Sequence, residues 1–141
     1  MTEIVQFSMN HWGLVLIFVF ALVWVITMEM QARLARGVAI STEELTRKMN
    51  DEDAKIFDVR TESHFSAGHI LSAAHIAESD MNAEHKRLKS LKTSPFILVC
   101  EYGTKSAKLA NQLRKAGFEQ AYSLAGGLEA WKKADLPLVS D

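Results

Sequence analysis

Residues 96–118 read FILVCEYGTKSAKLANQLRKAGF. Phe96 to Val99 is a short apolar run of strand-forming residues, and it ends on Cys100, the only cysteine of the chain. Five residues separate Cys100 from Ser106, after which the pattern turns helical until Gly117. Leu109, Leu113 and Ala116 make one stripe of that helix, with Ala107 and Ala110 beside it. Gly117 sits where a C′ residue belongs, and Phe118 is placed to fold back on the last turn. A thiol at the end of a buried strand, above a loop that opens a helix, lies where backbone N–H groups converge and favour an anion or a thiolate. Cys100 is therefore the expected nucleophile; the competing reading is a buried structural thiol, because free cysteine is among the most buried residues.

The loop supplies the candidate substrate-binding residues Glu101, Tyr102, Gly103, Thr104, Lys105 and Ser106. Gly103 lets the backbone turn so that successive N–H groups point inward. Lys105 reads equally as a cation facing the bound group and as a solvated lysine at a helix start. Ser106 reads as an N-terminal cap rather than a reactant. Glu101 and Tyr102 face the pocket mouth, unless Tyr102 packs on the outside of the loop.

Outward from this stretch, the chain has 141 residues and a formal net charge of −1. It has no basic block, so nucleic acid is not an expected partner. One cysteine cannot form an intramolecular disulfide, which fits a reducing compartment. Hydrophobicity is concentrated near the N-terminus: Trp12 to Met28 (WGLVLIFVFALVWVITM) has Thr27 as its one polar side chain. At 1.5 Å per residue this run reaches about 25 Å, the short end of a bilayer span, and extension back to Phe7 removes the shortfall. All 16 Lys and Arg residues follow the span and only Glu3 precedes it. The positive-inside bias then leaves the N-terminus outside and the large C-terminal part in the cytoplasm. A cleaved signal peptide is not expected, since its early basic residues and small-residue cleavage site are lacking. The expected organisation is a single-pass anchor over 1–30, a basic connector over 31–37 and one folded domain over 38–141.

Within that domain Val38 to Ile40 predicts a strand, and Ser41 with Glu44 forms a capping box for a helix from Thr42 to about Met49. Lys55 to Val59 is a second strand, Thr61 to Ala67 one or two helical turns stopped by Gly68, and Ala73 to Ile76 a weaker strand. Asp80 to Leu91, with Met81, Leu88 and Leu91 among charges, predicts a surface helix. After the central stretch come a last strand, Ala121 to Leu124, a Gly126-Gly127 turn, and a helix from Leu128 to Ala134. Strands alternating with helices predict an α/β fold with a mainly parallel sheet covered on both faces. Sites in such sheets lie beyond the carboxyl ends of the strands, which is where Cys100 falls.

Three segments, in order, resemble the rhodanese-like (sulfurtransferase) family. FDVRTESHFSAGHILSAAHI resembles its Asp-x-Arg, aromatic, Gly-His-Ile signature through Asp58, Arg60, Phe65, Gly68, His69 and Ile70. CEYGTKS is similar to its Cys-x-x-Gly-x-basic-Ser loop, and SLAGGLEAW to its closing paired glycines before Trp131. With the N-terminal span, the whole resembles the small membrane-anchored bacterial rhodaneses of the YibN type. The resemblance implies a rhodanese fold, no cofactor and no metal, and sulfur carried as a persulfide on Cys100 from a small donor to a small or protein thiol. It also implies an inner-membrane location, with the bilayer and a membrane protein as partners. Asp58 and Arg60 are expected to support the site as a polar pair bracing adjacent loops, and His69 to brace the turn after Gly68. His64, where an acidic residue is usual, and Ser72, where Gly is preferred, read as lying away from the cysteine loop. Glu101 puts a negative charge beside the thiol and opposes an anionic donor such as thiosulfate.

Other chemistries fit less well. The phosphatase loop of a related fold needs Arg where this chain has Ser106, and Lys105 lacks the bidentate fork. The five histidines and one cysteine have no metal-ligand spacing, and Gly126-Gly127 is not followed by the Lys-Ser/Thr of a phosphate loop. The rival of another class is a non-catalytic, membrane-tethered binding module that keeps the fold for interaction.

Overall fold

The structure, a computed structural model, describes residues 6–7 and 9–140. The chain divides between Leu34 and Ala35 into two units. Helix α1 (Trp12–Arg36) has 25 residues, about 37 Å at 1.5 Å per residue. Its stretch Trp12–Met30 is long and apolar enough to cross a membrane, and Phe18, Phe20, Trp24 and Val25 are all exposed along it. Apolar side chains all round a helix are the pattern of a membrane span or of a buried core helix. The helix continues through residues 31–36, the stretch read as a connector.

The second unit is built on five parallel strands: β1 (Ala39–Ile40), β2 (Lys55–Asp58), β3 (Ala73–His75), β4 (Phe96–Val99) and β5 (Ala121–Leu124). Their order is β1-β5-β4-β2-β3, which puts β4 at the centre, with Asp58 beside Val99. Parallel sheets are covered on both faces, so central strands are apolar throughout, and all four residues of β4 are buried. Phe96, Leu98 and Cys100 point into one core with Leu109, Leu113 and Phe118. Ile97 and Val99 point into the other, with Leu45, Leu128 and Trp131.

Helix α2 (Thr42–Asp51) starts as its capping box predicts, with Glu44 N–H donating to Ser41 Oγ at 3.1 Å. Helix α3 (Glu62–Ala67) follows β2. Helix α5 (Thr104–Lys115) begins two residues before Ser106, because Gly103, at φ 89°, turns the chain at once and takes the cap position. Its end is closed by Gly117 N–H to Arg114 O at 3.1 Å and Phe118 N–H to Leu113 O at 3.0 Å, the paired bonds of a Schellman motif. Ala116 is exposed rather than on the buried stripe. Helix α6 (Gly127–Lys133) follows β5.

The predicted helix over Asp80 to Leu91 is not formed. A 3-10 turn (Glu78–Asp80) and a four-residue helix α4 (Lys86–Lys89) stand in its place. Asn82 Oδ1 accepts from Glu84 N–H at 2.9 Å and His85 accepts from Arg87 N–H. Such local side-chain bonds offer the backbone an alternative to helix. Met81 and Leu88 nevertheless reach the core.

Candidate active site

β4 delivers Cys100 to the carboxyl end of the sheet, where the thiol is 4% exposed. Gly103 N–H donates to Sγ at 3.0 Å and Ser106 N–H at 3.4 Å, while Ser106 Oγ lies 3.2 Å away. Ser106 is fully buried, and its hydroxyl also meets Ser123 Oγ of β5 at 2.8 Å. This corrects its reading as a cap: because α5 starts at Thr104, Ser106 falls on the inner face of the first turn, against the sulfur. Donors converging on one sulfur are an arrangement that holds negative charge there.

The loop is held from the opposite side by the start of α6. Leu128 N–H donates to Cys100 O at 2.9 Å and Glu129 N–H to Glu101 O at 3.1 Å. The two segments approach so closely that a β-carbon on Gly127 would fall 2.6 Å from both Glu101 O and Gly103 N. A β-carbon on Gly103 would meet Gly126 N at 2.9 Å. Gly127 therefore does more than turn the chain: with Gly103 opposite, it admits one loop against the other.

Asp58, 1% exposed at the end of β2, receives Arg60 Nη2 at 2.8 Å and Nε at 3.0 Å. The same guanidinium donates to Gly68 O at 2.7 Å and to Glu101 Oε2 at 3.2 Å. Burial works against the Arg60 charge, but Asp58 first and Glu101 second raise its pKa above the ordinary value. For Glu101, burial pushes the pKa up; Arg60 and then Lys132 outweigh it and hold the carboxyl below its usual range. Lys132 Nζ lies 3.0 Å from Glu129 and 3.5 Å from Glu101. Lys105 Nζ pairs with Glu78 at 3.0 Å.

These groups surround a cavity of about 860 Å³, lined by Cys100, Arg60, Glu101, Tyr102, Thr104 and Lys105 among others. Gly103 and Ser106 contact the sulfur instead of the cavity, and Asp58 stands behind Arg60. Tyr102 is 70% exposed at the mouth. His69 braces its turn as expected, with Nδ1 2.8 Å from Phe65 O.

His64, Thr61, Glu78, Leu128, Lys132 and Leu138 also line the cavity, and sequence reasoning did not place them there. For His64 the expectation is corrected: it shares the wall with Cys100, and its Nδ1 meets Thr61 Oγ1 at 2.8 Å. The available signal was its place in the short helix that follows the carboxyl end of β2 in a parallel sheet. Ser72 takes φ +67°, a left-handed conformation that suits Gly better. Among the described residues no group of three or more His, Cys, Asp or Glu could hold a metal.

Residues 41–134 match the Rhodanese-like domain family. The chain is similar to YibN, an uncharacterized protein of Escherichia coli (strain K12), with 34% identity over 99% of this chain and 98% of that protein. It is 35% identical to the thiosulfate sulfurtransferase GlpE of Pseudoalteromonas translucida, over 67% of this chain and 89% of that protein. The crystal structure of a rhodanese-like domain protein from Staphylococcus aureus superposes with a TM-score of 0.61 at 30% identity, covering 74% of this chain and 98% of that one.

Proposed function

The chain belongs to the rhodanese-like domain family, and from that premise we propose that it is a membrane-anchored sulfurtransferase that carries sulfane sulfur on Cys100. The observation that supports this best is the convergence of Gly103 N–H, Ser106 N–H and Ser106 Oγ on Cys100 Sγ at the wall of an open cavity. In the first step the Cys100 thiolate attacks the sulfane sulfur of a donor. A sulfur–sulfur bond forms, and the donor leaves with the electron pair of the bond that breaks. In the second, an acceptor thiolate attacks the outer sulfur of the Cys100 persulfide, and the Cys100 thiolate departs. The loop donors accommodate the negative charge on sulfur in each state, so no general base is needed. Thr104 and Tyr102 shape the entrance, and Asp58 with Arg60 brace it.

The persulfide is tested by mass spectrometry of the full-length protein in detergent after exposure to several sulfane donors. One added sulfur on Cys100, absent from Cys100→Ser, is the expected result. No added sulfur with any donor favours the tethered binding module instead.

In this reading α1 crosses the inner membrane with the N-terminus outside and the sulfurtransferase domain in the cytoplasm. The placement of all 16 Lys and Arg residues after the span supports that orientation. Protease added to inverted vesicles should digest the domain, and protease added to intact spheroplasts should not. The acceptor is a small or protein thiol, and a membrane protein is the natural neighbour of a tethered carrier; cross-linking in native membranes identifies it.

A further inference from the structure

Every cationic side chain on the described cavity wall is already paired with a carboxylate. Arg60 is held by Asp58 and Glu101, Lys132 by Glu129 and Glu101, and Lys105 by Glu78. These three cations meet four carboxylates, Glu78 and Glu101 on the wall and Asp58 and Glu129 beside it, so none of the three lacks a counter-charge. The other basic side chain on the wall, His64, has Nδ1 engaged by Thr61 Oγ1. The N–H groups of Gly103 and Ser106 are directed at Cys100 Sγ. A thiosulfate dianion would therefore find neither an unpaired cation nor these two amides to receive its oxygens, and it would have to displace a carboxylate to gain one, at greatest cost at the buried Arg60 pairs.

Glu101 is the centre of this arrangement. It is the carboxylate that engages two wall cations at once, one Oε2 on Arg60 Nη1 and one Oε1 on Lys132 Nζ. Its own backbone carbonyl is fixed by Glu129 N–H, which sets where its side chain starts beside the thiol. From this geometry we infer that Glu101 is a specificity-determining residue that turns the site away from oxyanion donors and toward a thiol-bound persulfide, R–S–SH. The inference rests on the sulfurtransferase reading and names its donor class. A persulfide brings no sulfonate, and its transfer balances without a further reactant. The Cys100 thiolate bonds to the outer sulfur, the bond between the two donor sulfurs breaks, R–S⁻ leaves, and the proton stays on the new Cys100 persulfide. A cavity of about 860 Å³ also suits a leaving group with the bulk of an organic thiol.

The experiment measures the rate of sulfur loading onto Cys100 of the full-length protein in detergent. One donor is thiosulfate; the other is the persulfide of N-acetylcysteine amide, uncharged apart from the persulfide itself. The persulfide should load at least about tenfold faster than thiosulfate at equal concentration. Glu101→Gln frees Arg60 Nη1 and Lys132, so the thiosulfate-to-persulfide ratio should rise about tenfold. The inference is overturned if the wild type takes thiosulfate as fast as the persulfide. An unchanged ratio in a folded Glu101→Gln protein overturns it as well. If neither donor loads Cys100, the sulfurtransferase reading itself fails, an outcome distinct from fast loading by the wrong donor.

Discussion

Gly127→Ala should destabilise the domain and disable the cysteine loop together, although Gly127 touches no substrate. Gly127 has φ +60°, where an L-residue pays about 1–2 kcal/mol of strain. The added methyl would lie 2.6 Å from Glu101 O and Gly103 N and closer still to Cys100 O, all backbone atoms of the loop that carries the thiol. That contact forces α6 and the loop apart, weakening Leu128 N–H to Cys100 O and Glu129 N–H to Glu101 O. At about 0.5–1.5 kcal/mol for each hydrogen bond, the total cost is about 2–5 kcal/mol. For a domain of this size that lowers Tm by about 10–25 °C. Gly117→Ala is the control, since Gly117 also has positive φ, +102°, but its β-carbon would meet nothing within 4 Å. It carries the strain alone, and both variants share the unfolded-state effect of replacing Gly. The assay is thermal unfolding of both full-length variants in the same detergent, with persulfide loading of Cys100 measured in parallel. A Gly127→Ala protein that melts no lower than Gly117→Ala, or that loads sulfur at the wild-type rate, refutes the role given to this close approach.

Arg60→Met leaves Asp58, 1% exposed, as an uncompensated buried charge. Denaturant unfolding should show a loss of about 3–5 kcal/mol, partly restored in the Asp58→Asn/Arg60→Met double variant. Ser72→Gly relieves the φ +67° backbone and should stabilise by about 0.5–1 kcal/mol once the unfolded-state cost of Gly is subtracted, read as a Tm raised by a few degrees. Glu101 has its pKa held below the ordinary carboxylate range, so its contribution to stability is complete above that range. It is lost as pH falls through the depressed folded value. Denaturant unfolding from neutral into acid pH should therefore show a shallower acid loss in Glu101→Gln than in the wild type.

The strand–cysteine–helix unit was legible because each part has its own local cause. Apolar residues at 96–99 need a sheet interior, Gly103 and Gly117 punctuate the two ends of α5, and Ser41 with Glu44 announces α2 by a bond three residues long. Asp80 to Leu91 failed for a reason of the same kind. Its apolar spacing does bury Met81 and Leu88, but the side chains of Asn82 and His85 bond to nearby backbone N–H groups, and those bonds outcompete the regularity of a helix of about three turns. Periodicity reports which residues must be inside; it does not report which local bond the backbone will take while getting there.

The site was legible only as far as the chain is local. Cys100, Gly103 and Ser106 lie within one short stretch of chain, so their convergence could be anticipated, yet two residues of helix onset changed Ser106 from an N-terminal cap into a buried partner of the sulfur. Glu101 shows the larger gap. Beside the thiol in sequence, it reads as a free negative charge; in the fold it is engaged by Arg60, 41 residues away, and by Lys132, 31 residues away. Those partners come from the ends of β2 and α6, brought together by a sheet order that no short stretch encodes. Glu101 thus discourages an oxyanion less by its own charge than by occupying the cations that would have received it.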